Sequence, residues 1–285
     1  MNYSCLPMIY FKAIVLDQTL SLVDWLEIAS GLPLDGTEIH WRMLPTAPGE
    51  IDQLHAALRA RRLRVSQVTC APDFTHPDPT VRTAEIARTR KDIEVAAALG
   101  ATCVRITAGQ AHPQTARMQG VRWVVDAVRP LLNHAARHRV LLAFENHYKD
   151  YFWDHPDFAQ RAETFLEIVH ALGPHGLRVN YDTSNQIMIG EDPLAVLAEI
   201  QDLVVHVHCS DRVDPGTYLH APAGEGVVDF PTIFSMLQTS GYDGWLSAEY
   251  NGPEGLDGLT RALGYIRATW ERVASLRPAP GTRHR

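Results

Sequence analysis

Cysteine is scarce in this chain: Cys5, Cys70, Cys103 and Cys209 are its only thiols, and no two of them are close in sequence. That spacing excludes a disulfide framework or a cysteine knuckle for zinc, and it fits a reducing compartment. Long apolar runs are missing too, so no segment is expected to cross a bilayer. The opening "MNYSCLPMIYFK" lacks the basic stretch and apolar stretch of a secretory signal. The expected location is cytoplasmic, with no membrane partner. Positive charge is in deficit: 26 Lys and Arg against 33 Asp and Glu leave a formal charge of −7. Phosphate backbones are bound through Lys and Arg that release counterions, so no nucleic-acid partner is expected. No G-x-G-x-x-G follows the first apolar run and no Walker-type loop occurs anywhere, which removes the support for a dinucleotide fold.

What is present is ample core material: 285 residues, of which 46% are hydrophobic and 21% charged. Short apolar runs alternate with longer segments whose apolar residues recur at helical spacing. Strands are predicted at Ser4–Ile9, Gly36–His40, Val65–Thr69, Cys103–Ile106, Leu141–Glu145, Leu177–Tyr181, Val204–His208 and Trp245–Ala248. Helices are predicted at Ser21–Ser30, Glu50–Arg61, Thr80–Leu99, Gln119–Arg137, Asp157–Leu172, Pro193–Ile200, Pro231–Ser240 and Leu259–Leu276. Ser21 with Asp24 reads as a capping box, Pro193 and Pro231 read as first-turn prolines, and Gly100, Gly173 and Gly241 read as left-handed residues closing helices. Eight βα units in one chain of this length predict a TIM (β/α)8 barrel over residues 1–277, with 278–285 a flexible tail.

Every strand of such a barrel delivers its C-terminal end to one mouth, where chemistry is placed. Strand five, "LLAFE", ends in Glu145; strand six reaches Asp182; strand seven, "VVHVH", ends in His208; strand eight reaches Glu249. Three carboxylates and one imidazole around a point suit a single divalent ion that prefers oxygen ligands, Mn²⁺ or Mg²⁺, with Co²⁺ and Zn²⁺ also compatible.

The local sequences "DGTEIHW", "LGATCVRITAGQ", "FENH", "YDTSN", "VVHVHCSD" and "GEGVVDFPTIFSMLQTSGYDGWLSAEY" occur in this order along nearly the whole chain. In this order they resemble the xylose isomerase-like barrels, the sugar phosphate isomerase/epimerase family. The resemblance implies that Glu145, Asp182, His208 and Glu249 bind the metal, and that Glu145 and Glu249 move protons on either side of the substrate. It implies an isomerase or epimerase acting on a keto-sugar or a related polyhydroxy carbonyl compound through a metal-stabilised enediolate. Loss of a β-leaving group from the same intermediate gives the lyase alternative, on a keto-inositol or a 3-keto-glycoside. Ketohexose 3-epimerases of the family place a Glu six residues after the first ligand and a His three after the Asp. Tyr151 and Asn185 stand at those positions here, which points away from a free ketohexose.

Beyond the ligands, His147 is expected to act as an acid/base at the mouth. Arg105, Lys149, Asn185, His206, Arg212, Glu38 and His40 are expected to line the substrate site, with Arg105 the best suited to grip oxygen atoms. For Glu38 the plainer reading is a partner on a neighbouring strand, and for His206 a place in the barrel packing. His76, Trp41 and Trp153 fall in mouth loops. A small carbohydrate, unphosphorylated because only Arg212 and a few amides are on offer for a phosphate, is the expected partner, and a homodimer or homotetramer the expected assembly. Two other functions compete: a three-zinc abasic-site endonuclease, disfavoured by the acidic balance, and a catalytically idle barrel subunit, disfavoured by the full ligand set.

Overall fold

The computed structural model describes residues 1–276, so the predicted tail 278–285 lies outside the described residues. Eight parallel strands form the barrel: β1 (Asn2–Leu6), β2 (Gly36–His40), β3 (Arg64–Thr69), β4 (Cys103–Ile106), β5 (Leu141–Glu145), β6 (Arg178–Asp182), β7 (Val204–Cys209) and β10 (Trp245–Glu249). Hydrogen-bonded order runs β1-β10-β7-β6-β5-β4-β3-β2. The seam between β1 and β2 is closed by other means. Asp35 N donates to the Tyr3 carbonyl at 2.8 Å, the Asp35 carboxylate accepts from Tyr3 N at 2.9 Å, and Thr37 Oγ1 reaches the Cys5 carbonyl at 3.3 Å.

Eight α-helices sheathe the barrel: α1 (Leu22–Ser30), α2 (Pro48–Ala60), α3 (Pro79–Ala98), α4 (Arg117–Arg137), α5 (Ala162–Leu172), α6 (Pro193–Ile200), α7 (Phe230–Thr239) and α8 (Gly255–Leu276). Among the described residues, no helix is long and apolar enough to cross a membrane. Alternation along the strands sorts the side chains. Val68, Val104, Ile106, Phe144, Val179, Tyr181, Val207 and Leu246 point outward into the helix layer and are fully buried. Phe144 of β5 stacks on Phe165 of α5 with ring centroids 5.6 Å apart. The intervening positions point into the barrel and are mostly polar, with Ala143 and Trp245 among the exceptions.

Local signals set most element ends. Ser21 and Asp24 form the predicted capping box, with Asp24 N donating to Ser21 Oγ at 3.1 Å and Ser21 N to Asp24 Oδ2 at 2.9 Å. Gly100 and Gly241 take the left-handed conformation after their helices, at φ of 71° and 83°. Gly173 does not: it is right-handed, and a short 3₁₀ turn carries the chain on to Gly176, which takes φ of 101° instead. β1 ends at Leu6 rather than Ile9, because Pro7 has no N–H for a ladder and the chain coils into a 3₁₀ turn at Met8–Tyr10. α5 begins at Ala162, five residues later than the apolar spacing predicts, because Asp157 is used in the loop before it. A short antiparallel ribbon, β8 (Asp211–Arg212) with β9 (His220–Ala221), rises from the loop after β7 and was not foreseen. The Asp211 carboxylate holds this loop by accepting from the backbone N–H groups of Gly224, Gly226 and Val228 at 2.9, 3.1 and 3.0 Å.

Candidate metal centre

Parallel pairing puts residues opposite one another on the same side of the sheet, so one inward residue fixes its neighbours. Asp182 pairs with His208, His208 with Ser247, and Glu145 with Asn180. Glu249 lies two beyond Ser247 on the same face. Each of Glu145, Asp182, His208 and Glu249 thus offers a ligand atom at the mouth, all four within 4.8 Å of one another. His208 Nδ1 is the hub, 2.9 Å from Glu145 Oε1 and 2.9 Å from Glu249 Oε2.

The other nitrogen of His208 explains Glu38. His208 Nε2 lies 3.1 Å from Glu38 Oε2, and His206 Nε2 lies 3.0 Å from Glu38 Oε1. Gln67 Nε2 donates to Glu38 at 3.1 Å, and Ser247 Oγ donates to the same carboxylate. Glu38 and His206 are fully buried, and the structure brings both against His208, one of the four ligand-type residues. Such a carboxylate behind a ligating imidazole fixes its tautomer and orientation.

Asp182 is held by the loop that follows it. Its Oδ1 accepts from the backbone N–H groups of Ser184 and Asn185, both at 2.8 Å, and Ser210 Oγ donates to Oδ2 at 2.8 Å. Asn146 ties β5 to β6, accepting from Asp182 N at 2.8 Å and donating to the Asp182 carbonyl at 2.9 Å. Burial and the neighbouring charges of Glu249 and Glu145 push the Asp182 carboxyl up to about 6. Burial also opposes ionisation of Glu145, but Arg105 and His208 outweigh it and hold that carboxyl down to about 2. Burial works against a charged His208, yet Glu38, Glu145 and Glu249 raise it well above its ordinary value. Three carboxylates, two buried and one partly so, crowded on one imidazole are a site short of positive charge, and a donor set of three carboxylates and one nitrogen fits a hard divalent cation.

Arg105 Nε lies 2.9 Å from Glu145 Oε2, an ion pair without hydrogen-bond geometry, and Arg105 Nη1 donates to the Cys70 carbonyl at 3.1 Å, so its guanidinium is set against one of the four ligand-type residues. His147 is nine-tenths buried, its Nδ1 3.3 Å from Asp157 Oδ2 and its ring edge-on to Trp153 at 5.7 Å. Burial lowers the His147 imidazole, but the Asp157 hydrogen bond and the Glu145 charge outweigh it and raise it above its ordinary value. Arg212 Nε donates to Ser184 Oγ at 2.9 Å while its Nη1 is buried without a hydrogen bond. Asn185 is buried beside Asp182, whereas Lys149 lies in the loop, its Nζ 3.3 Å from the Asp154 carbonyl. His40 Nδ1 accepts from Arg42 N at 3.3 Å, and burial together with Arg105 lowers its imidazole well below its usual range. His76 and Trp41 take other partners: His76 accepts from Asp78 N at 3.1 Å, and Trp41 lies between Arg42 and Arg88.

Asp157, Asn146, Ser210 and Gln67 were not anticipated as parts of the site. Asn146 is the middle residue of the "ENH" run and Asp157 lies in the loop after it, but nothing in their spacing marks them.

The chain is 30% identical over 92 residues to inosose dehydratase of Lacticaseibacillus casei, a match covering 27% of this chain and 31% of that protein. It is 28% identical over 167 residues to L-ribulose-5-phosphate 3-epimerase UlaE of Escherichia coli (strain K12), covering 59% of this chain and 56% of that protein. The chain therefore spans only about a third to just over half the length of these curated relatives. Among solved structures, a D-tagatose 3-epimerase-like protein superposes with a TM-score of 0.80 at 18% identity, covering 96% of this chain and 99% of that one, which shows the shared fold. The xylose isomerase-like TIM barrel family model matches residues 26–269, so the chain belongs to that family.

Proposed function

We propose that this protein is a divalent-metal-dependent isomerase or epimerase of a keto-sugar or related polyhydroxy carbonyl compound, with Mn²⁺ as its preferred ion. Glu145, Asp182, His208 and Glu249 hold the ion. When bound, it supplies positive charge to a carbonyl oxygen and the neighbouring hydroxyl of the substrate. The observation that carries this reading is the pair of glutamates meeting at His208 Nδ1 from β5 and β10, each 2.9 Å away.

Their surroundings give the two glutamates different work. Glu145 is clamped by Arg105 and strongly acidic, a poor base that keeps its charge. Glu249 lacks such a clamp: burial opposes its ionisation and His208 outweighs it, so its carboxyl is lowered too, but without a guanidinium beside it, and its side chain is 19% exposed, which suits the removal of a proton from the carbon beside the carbonyl. Returning that proton to the other face gives an epimer, and to the neighbouring carbon an isomer. Arg212, with its unpaired Nη1, Asn185, Lys149 and His40 are proposed to contact substrate oxygens.

A second reading, a lyase on a keto-inositol or 3-keto-glycoside, is favoured by His147. Asp157 fixes its Nδ1, so Nε2 is the nitrogen left for the substrate. As Glu249 removes the proton, the β-carbon–oxygen bond breaks, and the hydroxyl leaves as water with the His147 proton. A cytoplasmic location and a homodimer or homotetramer are proposed alongside both readings. The test is a panel of ketoses, inososes and 3-keto-glycosides with Mn²⁺ in deuterated water. Epimer or isomer with deuterium at the reacting carbon supports the first reading, and an unsaturated product supports the second. Substrates that stay undeuterated and unchanged across the panel, while the ion is bound, overturn both.

A further inference from the structure

A second group of metal-type side chains lies at the end of the barrel away from the mouth. Glu94 stands near the end of α3, while His134 and His138 sit four residues apart at the end of α4, one on its last turn and one capping it. One ligand atom from each lies within 4.8 Å of the others. Residues four apart share a helix face, and here the two imidazoles have ring centroids 4.7 Å apart. His134 is only 8% exposed, and its Nε2 faces Glu94 Oε1 at 3.2 Å yet makes no hydrogen bond. Because an imidazole nitrogen and a carboxylate oxygen can both ligate, this separation leaves them able to hold one ion together. Glu94 and His138 are exposed, so the group is open to ions from solvent.

We propose that Glu94, His134 and His138 form a zinc site that clamps α3 to α4, independent of the ion at the mouth. Two imidazoles and one carboxylate favour Zn²⁺ over Mg²⁺ or Mn²⁺, unlike the oxygen-rich mouth. Zinc on His134 Nε2 leaves the proton on Nδ1, so the 3.4 Å approach of Arg137 Nη2 to Nδ1 is given up on binding. The clamp pins the two helices whose ends lead into β4 and β5, the strands that carry Arg105 and Glu145.

The test uses the full chain, stripped by chelator and titrated with Zn²⁺ by calorimetry, in three forms: wild type, His138→Ala and Asp182→Asn. His138 is exposed, so its removal leaves the fold intact. His138→Ala should weaken one zinc-binding event at least about tenfold while kcat stays at the wild-type value. Asp182→Asn should retain that event, and zinc should raise its melting temperature but not that of the Asp182→Asn, His138→Ala double variant. A single zinc per wild-type chain, lost in His138→Ala, supports the clamp and counts against the mouth. Equal zinc affinity and stoichiometry in wild type and His138→Ala overturns the proposal, as does the absence of zinc binding by Asp182→Asn.

Discussion

Replacing Glu38 by Gln tests how far the ion site depends on a residue that never touches the ion. The Glu38 carboxylate is fully buried and accepts from His206 Nε2 at 3.0 Å, His208 Nε2 at 3.1 Å, Gln67 Nε2 at 3.1 Å and Ser247 Oγ. Glutamine conserves the volume, but it turns one acceptor into an NH₂ group facing donors and removes the negative charge behind His208. A buried donor left without a partner costs about 1–3 kcal/mol, so the melting temperature should fall by several degrees. Loss of a partner behind a ligating imidazole costs roughly 10–100-fold in metal affinity, or about 1.4–2.8 kcal/mol. The assay is Mn²⁺ titration by calorimetry beside a thermal melt of the same protein. A folded variant that binds Mn²⁺ within about twofold of wild type would refute the idea that Glu38 supports the ion through His208.

Glu145→Gln and Glu249→Gln should each lower kcat by about 10²–10⁴-fold with the circular dichroism spectrum unchanged; near wild-type turnover with native metal content would strip that glutamate of its role. His147→Ala should cost kcat a similar factor of about 10²–10⁴ while metal content and melting temperature hold. Asp157→Asn should cost less and move the kinetic pKa of His147 downward, because the Asp157 hydrogen bond raises that imidazole; an unmoved pH profile would detach Asp157 from it. Mn²⁺ affinity should fall as pH is lowered through about 6, since protons on Asp182 then compete with the ion. His208, raised further by its carboxylates, extends that competition above 6, and a flat affinity between about pH 5 and 8 would contradict both.

The barrel was legible because its signal is one-dimensional. Each strand had to be buried on its outward face and each helix on one stripe, so period and punctuation located all eight units to within a few residues. The four residues at the ends of β5, β6, β7 and β10 were legible for a related reason. A parallel barrel sends every strand terminus to one place, so a polar residue ending an apolar run acquires a position without any knowledge of contacts. Where the reading slipped, the deciding contact lay elsewhere in the chain. The start of α5 was set too early because Asp157 belongs by spacing to the helix, yet its carboxylate is taken by His147, ten residues back in the mouth loop. Spacing marks Arg105 as a grip on oxygen atoms but does not disclose its 2.9 Å approach to Glu145 on the next strand.

The sharpest limit concerns Glu145 and Glu249, which a sequence presents as the same residue in the same setting. Both end barrel strands, and both stand 2.9 Å from the same imidazole nitrogen. The division of labour proposed for them rests on one guanidinium. Arg105 pairs in register with Ala143, two residues before Glu145 on the same face, and its length carries the charge up to Oε2. On β10 the residues two and four before Glu249 are Ser247 and Trp245, neither of which can supply that charge. An environment of this kind sets a carboxylate's acidity more strongly than its covalent structure does, and that is the ground on which the two glutamates are proposed to do different work. Exchanging Arg105 for Met should therefore raise the pKa of Glu145 toward that of Glu249 and blur the distinction, which titration of the two carboxylates by NMR would register.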